Sequence, residues 1–290
     1  MHGVEKVGVV GSGQMGGGIA QVAAVAGFET VVFDKASDAL ERCRKTHDKL
    51  LGRAVEKERM TQAQADEARG RIVYADSMAK LEGAQLVVEA VVEDAGVKKA
   101  VFKELDERMP WDGGSGPILA TNTSSISITD IAASTHAPER VIGMHFFYPV
   151  PVMKLVEVIN GLATDKAVTD RVVAASEAMG KTALAANDRA GFVSNRVLMP
   201  MINEAFYAWM EGVAEAEAID GIMKLGCNFP MGPLRLADFI GLDTCAHIMD
   251  VLAEGLNSER YRPCPLLRQL VTAGRLGDKT GRGVYDHSGA

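Results

Sequence analysis

His145 and Glu157 lie twelve residues apart in the segment Gly143-Met144-His145-Phe146-Phe147-Tyr148-Pro149-Val150-Pro151-Val152-Met153-Lys154-Leu155-Val156-Glu157-Val158-Ile159. Both are polar residues embedded in strongly apolar sequence. In Leu155-Val156-Glu157-Val158-Ile159, strand alternation puts Glu157 on the face of Leu155 and Ile159. A carboxylate among such neighbours is costly to bury unless a cation or a donor meets it. The histidine one short connection upstream is a natural partner. A histidine oriented by a carboxylate is the usual way to build a general acid/base that works near neutral pH. A core histidine bonded to a structural glutamate would satisfy the same pattern, so these two residues alone leave both readings open.

The elements around such a pair begin with a cofactor signal. Val7-Gly8-Val9-Val10 reads as a short apolar strand, and Gly11-Ser12-Gly13-Gln14-Met15-Gly16 follows directly. Ile19 to Ala26 then reads as a helix of small residues ended by Gly27, and Thr30-Val31-Val32-Phe33 as the next strand, with Asp34 at its end. A GxGxxG pattern alone is weak, but here it sits between strand and helix with an acid 23 residues after Gly11. Gly11 allows the tight turn, Gly13 lets backbone approach a pyrophosphate, and Gly16 lets helix pack on strand. The helix N-terminus offers N–H groups and positive dipole to phosphates. Asp34 is placed to accept from the adenosine ribose hydroxyls, which favours NAD over NADP, with Lys35 next door softening that preference.

Residues 36–69 read as two helices, forming a hairpin that carries a basic stripe of Lys45, Lys49, Arg53 and Lys57. A solvated face and a docking surface for a phosphorylated ligand both fit that stripe. Ile72-Val73-Tyr74 and Leu86 to Val92 read as further strands, the second almost continuously apolar as in a buried parallel strand. Glu93 sits at its end, where ligands bind in open α/β sheets. A helix from Val97 to Met109 follows, with Lys98 in its first turn. Lysine is unfavourable there, which suggests a compensating contact from a ligand or from Glu93, although an exposed lysine fits equally well. Ile118-Leu119-Ala120 reads as a strand leading into the hydroxyl-rich Thr121-Asn122-Thr123-Ser124-Ser125, which can cap a helix or bind a ligand. Asp165 to Met179 reads as a helix and Thr182 to Ala185 as a last strand. Asn187-Asp188-Arg189-Ala190-Gly191 marks the boundary. Beyond it the pattern turns helical, near 192–212, 214–225, 233–253 and 263–273. The expected fold is therefore α/β: a Rossmann-type doubly wound sheet over 1–188 and an all-helical domain over 189–290.

Length, at 290 residues, suits two such domains. A net charge of −7 argues against a nucleic-acid partner, which needs a basic excess. No apolar run approaches membrane-spanning length, and the start shows no secretory pattern. Cys43, Cys227, Cys245 and Cys264 are widely spaced, without CxxC or metal-ligand spacing. Reduced thiols, a cytoplasmic location and no metal site are the expectations.

Further motifs carry a resemblance over nearly the whole chain. They include Val88-Glu89-Ala90-Val91-Val92-Glu93-Asp94, Ala120-Thr121-Asn122-Thr123-Ser124-Ser125-Ile126 and Gly191-Phe192-Val193-Ser194-Asn195-Arg196. Pro230-Met231-Gly232-Pro233-Leu234, Ile240-Gly241-Leu242-Asp243-Thr244 and Leu276-Gly277-Asp278-Lys279-Thr280-Gly281-Arg282-Gly283 extend it. The chain resembles the 3-hydroxyacyl-CoA dehydrogenases, and within them looks most like the bacterial short-chain 3-hydroxybutyryl-CoA dehydrogenases of fatty acid and butanoate metabolism. The resemblance implies NAD as cofactor, an acyl-CoA substrate and a homodimer formed through the helical domain. It implies that His145 exchanges a proton with the substrate's 3-oxygen and that Glu157 orients it. Ser124 and Asn195 would contact substrate near the reacting carbon. Glu93, Lys98, Asn122 and Tyr148 would join Gly11, Gly13, Gln14, Met15, Gly16 and Asp34 around the cofactor, and Lys57 would lie near the CoA nucleotide. One departure stands out: the family usually has Asn where this chain has Tyr148, and a phenol cannot offer an amide's acceptor and donors together.

Two other readings remain at this level. One is a β-hydroxyacid dehydrogenase of the same two-domain plan that takes a free acid, although many of those rely on a catalytic lysine. The other is an NADH-binding protein with little turnover, which the change at Tyr148 would permit.

Overall fold

The structure is a computed structural model that describes residues 3–289 of the chain. The chain divides into two compact units, Met1–Asp188 and Arg189–Ala290.

The first unit alternates strand and helix. It runs β1 (Lys6–Val10), α1 (Gln14–Val25), β2 (Glu29–Phe33), α2 (Ser37–Glu56), α3 (Gln62–Gly70), β3 (Ile72–Ala75) and β4 (Leu86–Glu89). It continues with α4 (Ala95–Arg108), β5 (Ile118–Thr121), α5 (Ile128–Ala132), β6 (Val141–Phe146), β7 (Leu155–Asn160), α6 (Lys166–Ala178) and β8 (Thr182–Asn187). The strands form one sheet in the order β3-β2-β1-β4-β5-β6-β7-β8. The order reverses between β1 and β4, the switch point at whose carboxyl ends doubly wound sheets bind ligands. Strands β1 to β6 are parallel, and β4, β5 and β6 are buried at every residue, which is why they read as unbroken apolar runs.

Strand β7 runs antiparallel to β6. A parallel return would need a crossover of a dozen or more residues, and residues 147–154 are too few. Strand β8 returns parallel to β7 through α6.

The strand expected over 86–92 ends at Glu89. The Glu89 carboxylate accepts a hydrogen bond from the Val91 backbone N–H at 2.7 Å, and that bond turns the chain away from the sheet. Helix α4 then starts at an Asp94 cap, which accepts from Val97 N at 2.8 Å. Helix α3 opens with a reciprocal capping box between Thr61 and Gln64.

The second unit is helical: α7 (Ser194–Met210), α8 (Ala216–Gly226), α9 (Pro233–Ile240), α10 (Leu242–Gly255) and α11 (Pro265–Thr272). Met199, Ile202, Phe206, Leu234, Leu242, Met249, Leu252 and Leu267 form its core. The single helix expected over 233–253 is two helices, because Gly241 adopts φ +103° and ends α9 before α10 begins. Two buried carboxylates tie this unit together. Asp220 accepts from Leu234 N, Arg235 N and the Tyr285 hydroxyl. Asp238 accepts from Val284 N and Tyr285 N and pairs with the His287 ring. Among the described residues, no helix is long and apolar enough to cross a membrane, and all four cysteines are free thiols.

Candidate active site and cofactor cradle

The turn after β1 is built for close approach. Gly11 has φ +101° and donates its N–H to the Phe33 carbonyl at 2.8 Å, which locks β1 to β2. A Cβ on Gly11 would press on the Ala90 carbonyl, and one on Gly16 would overlap the Gly11 carbonyl. Both glycines therefore answer steric demands of the turn itself. Gly13 differs: nothing lies within 4 Å of where its Cβ would sit, so its glycine leaves room for a ligand. Gly13 is also the N-cap of α1 and offers no side chain to the N–H groups of the first turn, where Gln14 is exposed and Met15 half-buried. Uncapped first-turn N–H groups and the helix dipole suit a pyrophosphate, so the cradle fits a dinucleotide.

Asp34 closes this cradle at the end of β2. It accepts from Ser12 N at 2.9 Å, Ser12 Oγ at 2.7 Å and Ala36 N at 3.0 Å. Burial pushes its pKa up, but the hydrogen bonds from Ala36 and Ser12 outweigh that and hold it below the usual carboxylate value. An ionised carboxylate at this position would suit ribose hydroxyls and would repel a 2′-phosphate. Asp34→Asn should then narrow the preference for NADH over NADPH, measured as the ratio of kcat/KM values, by about 10-fold or more. An unchanged ratio would remove Asp34 as the discriminating residue. Sequence reasoning gave Ser12 no role, yet two of the three bonds that orient Asp34 come from it.

A second group gathers at the ends of β4 and β5. Lys98 is 1% exposed. Its ammonium lies 2.8 Å from Glu89 Oε1 and 3.3 Å from Glu93 Oε2. Of the readings left open for Lys98, the buried one with a Glu93 contact holds and the exposed one does not, but the nearer partner is Glu89, which is fully buried and also accepts from the Thr121 hydroxyl at 2.7 Å. Glu89 went unassigned in the sequence reading. The argument that singled out Glu157, a carboxylate inside an apolar strand, would have found it. Glu93 Oε1 accepts from the Thr123 hydroxyl at 2.6 Å, Ser124 N at 2.8 Å and Ser125 N at 3.2 Å, and the hydroxyls of Ser124 and Ser125 also point to it. Burial pushes the Glu93 pKa up, but Lys98 and these donors more than offset it and hold the group ionised. The structure thus brings Glu93, Lys98 and Ser124 into one cluster. Asn122 Oδ1 accepts from Phe146 N at 2.9 Å and ties the end of β5 to the end of β6.

His145 is the penultimate residue of β6 and stands directly opposite Glu157 on β7. His145 Nδ1 and Glu157 Oε2 are 2.8 Å apart, and the residues are 7% and 4% exposed. The Phe147 ring lies 4.5 Å from the imidazole, centroid to centroid. Residues paired across neighbouring strands share a face, and the register of the β6–β7 pair, joined by the short 147–154 connection, sets His145 opposite Glu157. With Nδ1–H donated to the carboxylate, Nε2 is the nitrogen suited to exchange a proton.

The remaining expected site residues lie on other segments. Tyr148 lies between the two in sequence, on the connection from β6 to β7, and is 55% exposed. Lys57 is exposed at the C-terminal cap of α2, and Lys45, Lys49 and Arg53 are exposed along that helix. The stripe is partly neutralised, since Lys45 pairs with Glu41 at 3.4 Å. Asn195 belongs to the second unit, buried in the first turn of α7.

His47 was also missed by sequence reasoning. It is buried on α2, with Nε2 2.8 Å from the Gly17 carbonyl in α1 and Nδ1 2.7 Å from the Tyr74 hydroxyl. Nε2 donates to the carbonyl, and in the neutral ring Nδ1 then accepts from the tyrosine hydroxyl. Burial pushes its pKa below 6.5, against the opposing pull of the Gly17 carbonyl. The unfolded chain therefore takes up this proton first, and stability falls as pH drops below about 6.5. His47→Gln should flatten the melting-temperature profile between about pH 6.5 and 5. A profile parallel to the parent's would contradict that role.

Comparison with known proteins matches this arrangement. The family described as 3-hydroxyacyl-CoA dehydrogenase, NAD binding domain, matches residues 6–189, and its C-terminal domain matches residues 191–287. A Bacillus subtilis protein named "Probable 3-hydroxybutyryl-CoA dehydrogenase" is 54% identical over 284 residues, 98% of each chain. The 3-hydroxybutyryl-CoA dehydrogenase of Bradyrhizobium diazoefficiens is 50% identical over 99% of this chain and 97% of its own. The crystal structure of (S)-3-hydroxybutyryl-CoA dehydrogenase from Ralstonia eutropha is similar with a TM-score of 0.94 and 46% identity, covering 98% of this chain and 99% of that one. A dinucleotide cradle, a helical second unit and these matches over both domains establish that the chain belongs to the 3-hydroxyacyl-CoA dehydrogenase family, NAD-dependent oxidoreductases that act on the CH–OH group of 3-hydroxyacyl-CoA.

Proposed function

We propose that this chain interconverts (S)-3-hydroxybutyryl-CoA and acetoacetyl-CoA, with His145 and Glu157 as its acid/base pair. The observation that carries the reading is the buried bond between His145 Nδ1 and Glu157 Oε2 at 2.8 Å, next to the carboxyl edge of the parallel strands. Bound NAD supplies a hydride acceptor at its nicotinamide ring. In oxidation His145 takes the 3-hydroxyl proton at Nε2 as the C3 hydrogen departs. In reduction it returns that proton to the forming alkoxide. Glu157 stabilises the imidazolium in both directions and fixes the ring's tautomer. Ser124 and Asn195 hold the reacting oxygen or the thioester in a near-attack geometry. Glu93, Lys98, Asn122 and Tyr148 face the nicotinamide end, and Lys57 meets the CoA nucleotide.

The second unit serves substrate binding and homodimer formation. Supporting the latter, Val197, Val213, Ile222 and Leu225 are 68%, 73%, 62% and 90% exposed. The enzyme works as a cytoplasmic dimer, without nucleic acid or membrane as partner.

The test compares acetoacetyl-CoA with free acetoacetate at matched NADH, in the parent chain and in Tyr148→Asn. Turnover confined to the thioester supports the reading. Equal turnover of the free acid would move the chain to the free-acid β-hydroxyacid dehydrogenases. Activity that appears only in Tyr148→Asn would make the parent an NADH-binding protein.

A further inference from the structure

Lys181 lies between α6 and β8 and is 8% exposed. Its ammonium donates to two backbone carbonyls, Val150 at 2.5 Å and Met153 at 2.8 Å. Burial lowers its pKa. Among the described residues no carboxylate pairs with this ammonium, whose partners are the two carbonyls; a buried ammonium so held is a costly way to join two segments, and an apolar side chain would fill the same space at less cost. What the lysine offers in return is direction, since its rotatable donors hold two carbonyls at fixed points.

Those carbonyls belong to the connection 147–154 between β6 and β7. That connection begins two residues after His145, carries Tyr148 and returns to β7 two residues before Glu157. Its own turn is closed by Val152 N and Met153 N, which both donate to the Pro149 carbonyl at 2.9 and 3.0 Å. The Val150 side chain is 1% exposed and seats on α1, where a Cβ added to Gly18 would lie 2.8 Å from the Val150 Cβ. The same residue is thus held by Lys181 through its carbonyl and by the helix of the dinucleotide cradle through its side chain. A further bond, Thr182 N to the Lys154 carbonyl at 2.7 Å, anchors the end of the connection beside the lysine.

We propose that Lys181 is a positioning residue that presses the 147–154 connection onto α1 and thereby sets the distance between His145 and the cofactor cradle. The proposal rests on the acid/base reading of His145, because only then does that distance govern turnover. Misplacing a reacting group by about 1 Å can cost on the order of 100-fold in rate.

Lys181→Met keeps the stem and removes both donors. Lys181→Arg keeps a charged donor. Gly18→Ala displaces Val150 through its side chain without touching the buried charge, and alanine is a good helix residue. In chains shown to be folded by their melting curves, Lys181→Met should lower kcat with acetoacetyl-CoA by about 10–100-fold with little change in its KM. It should also raise the primary isotope effect from 4-deuterated NADH and weaken NADH binding, read by nicotinamide fluorescence. Gly18→Ala should show the same pattern, and Lys181→Arg should restore most of the loss. Parent-like kcat, isotope effect and NADH affinity in Lys181→Met or, if that variant does not fold, in Gly18→Ala would overturn the proposal. If the parent chain proves inactive on acetoacetyl-CoA, the acid/base reading fails. Weakened NADH binding in these variants would then still support Lys181 as a strut, and unchanged binding would overturn it.

Discussion

Replacing His145 with alanine is expected to lower kcat with acetoacetyl-CoA by about 10²–10⁴-fold, the usual contribution of a positioned general acid/base. NADH affinity should stay near the parent value, because the cradle of Gly11, Gly13, Gly16 and Asp34 lies in the turn after β1, in α1 and at the end of β2, apart from β6 in sequence. Glu157→Gln should cost less. It keeps a hydrogen-bonding partner for Nδ1 but removes the negative charge that supports the imidazolium. The order of the two losses is informative. A Glu157→Gln chain as impaired as His145→Ala would mean that the charge, rather than the orientation, carries most of the effect. Steady-state kinetics with nicotinamide fluorescence separate turnover from binding. Parent-like kcat in His145→Ala would remove the histidine from the chemistry.

The largest stability effect should come from Lys98→Met. The substitution leaves Glu89 fully buried beside Val91 N and the Thr121 hydroxyl, with its ammonium partner gone. Removing one member of a buried ion pair costs about 3–5 kcal/mol. For a unit of this size, roughly 2–4 °C is lost per kcal/mol, so a fall of about 6–20 °C in melting temperature is expected. The double variant Glu89→Gln with Lys98→Met should recover part of that loss, because an uncharged amide is cheaper to bury than an unpaired carboxylate. NADH affinity should fall in the single variant as well, since Lys98 also holds Glu93 over Thr123 to Ser125. A melting temperature within a degree or two of the parent's would show that the pair is replaceable by water or by a shifted neighbour.

These residues also show where sequence reasoning reaches and where it stops. Glu157 was legible because few arrangements tolerate a carboxylate inside an apolar strand, and its histidine partner lay one short connection away. Gly11, Gly16 and Asp34 were legible because their spacing answers steric and charge demands that few other structures make. The antiparallel course of β7 was harder to read. Alternation encodes which face a side chain takes but carries no direction, so only the shortness of 147–154 hinted at it. The end of β4 was hidden because Ala90, Val91 and Val92 are as apolar as the strand itself. The signal was the Glu89 side chain capturing Val91 N, a bond that hydropathy does not register. Lys98 was undecided for the same reason: its burial depends on Glu89, nine residues earlier in the chain. The break at Gly241 shows that a glycine inside a helical pattern marks a boundary when its backbone must take positive φ. The role given to Asn195 rests on resemblance alone, since nothing in its own segment demands a ligand, and that given to Lys57 rests on resemblance and on a basic stripe that a solvated helix face explains equally well.

The most direct test of the central claim is the absorbance of NADH on mixing the chain with acetoacetyl-CoA. The account predicts rapid, catalytic loss of the reduced nicotinamide signal, with many turnovers per chain. Tight NADH binding with no loss of that signal would contradict it.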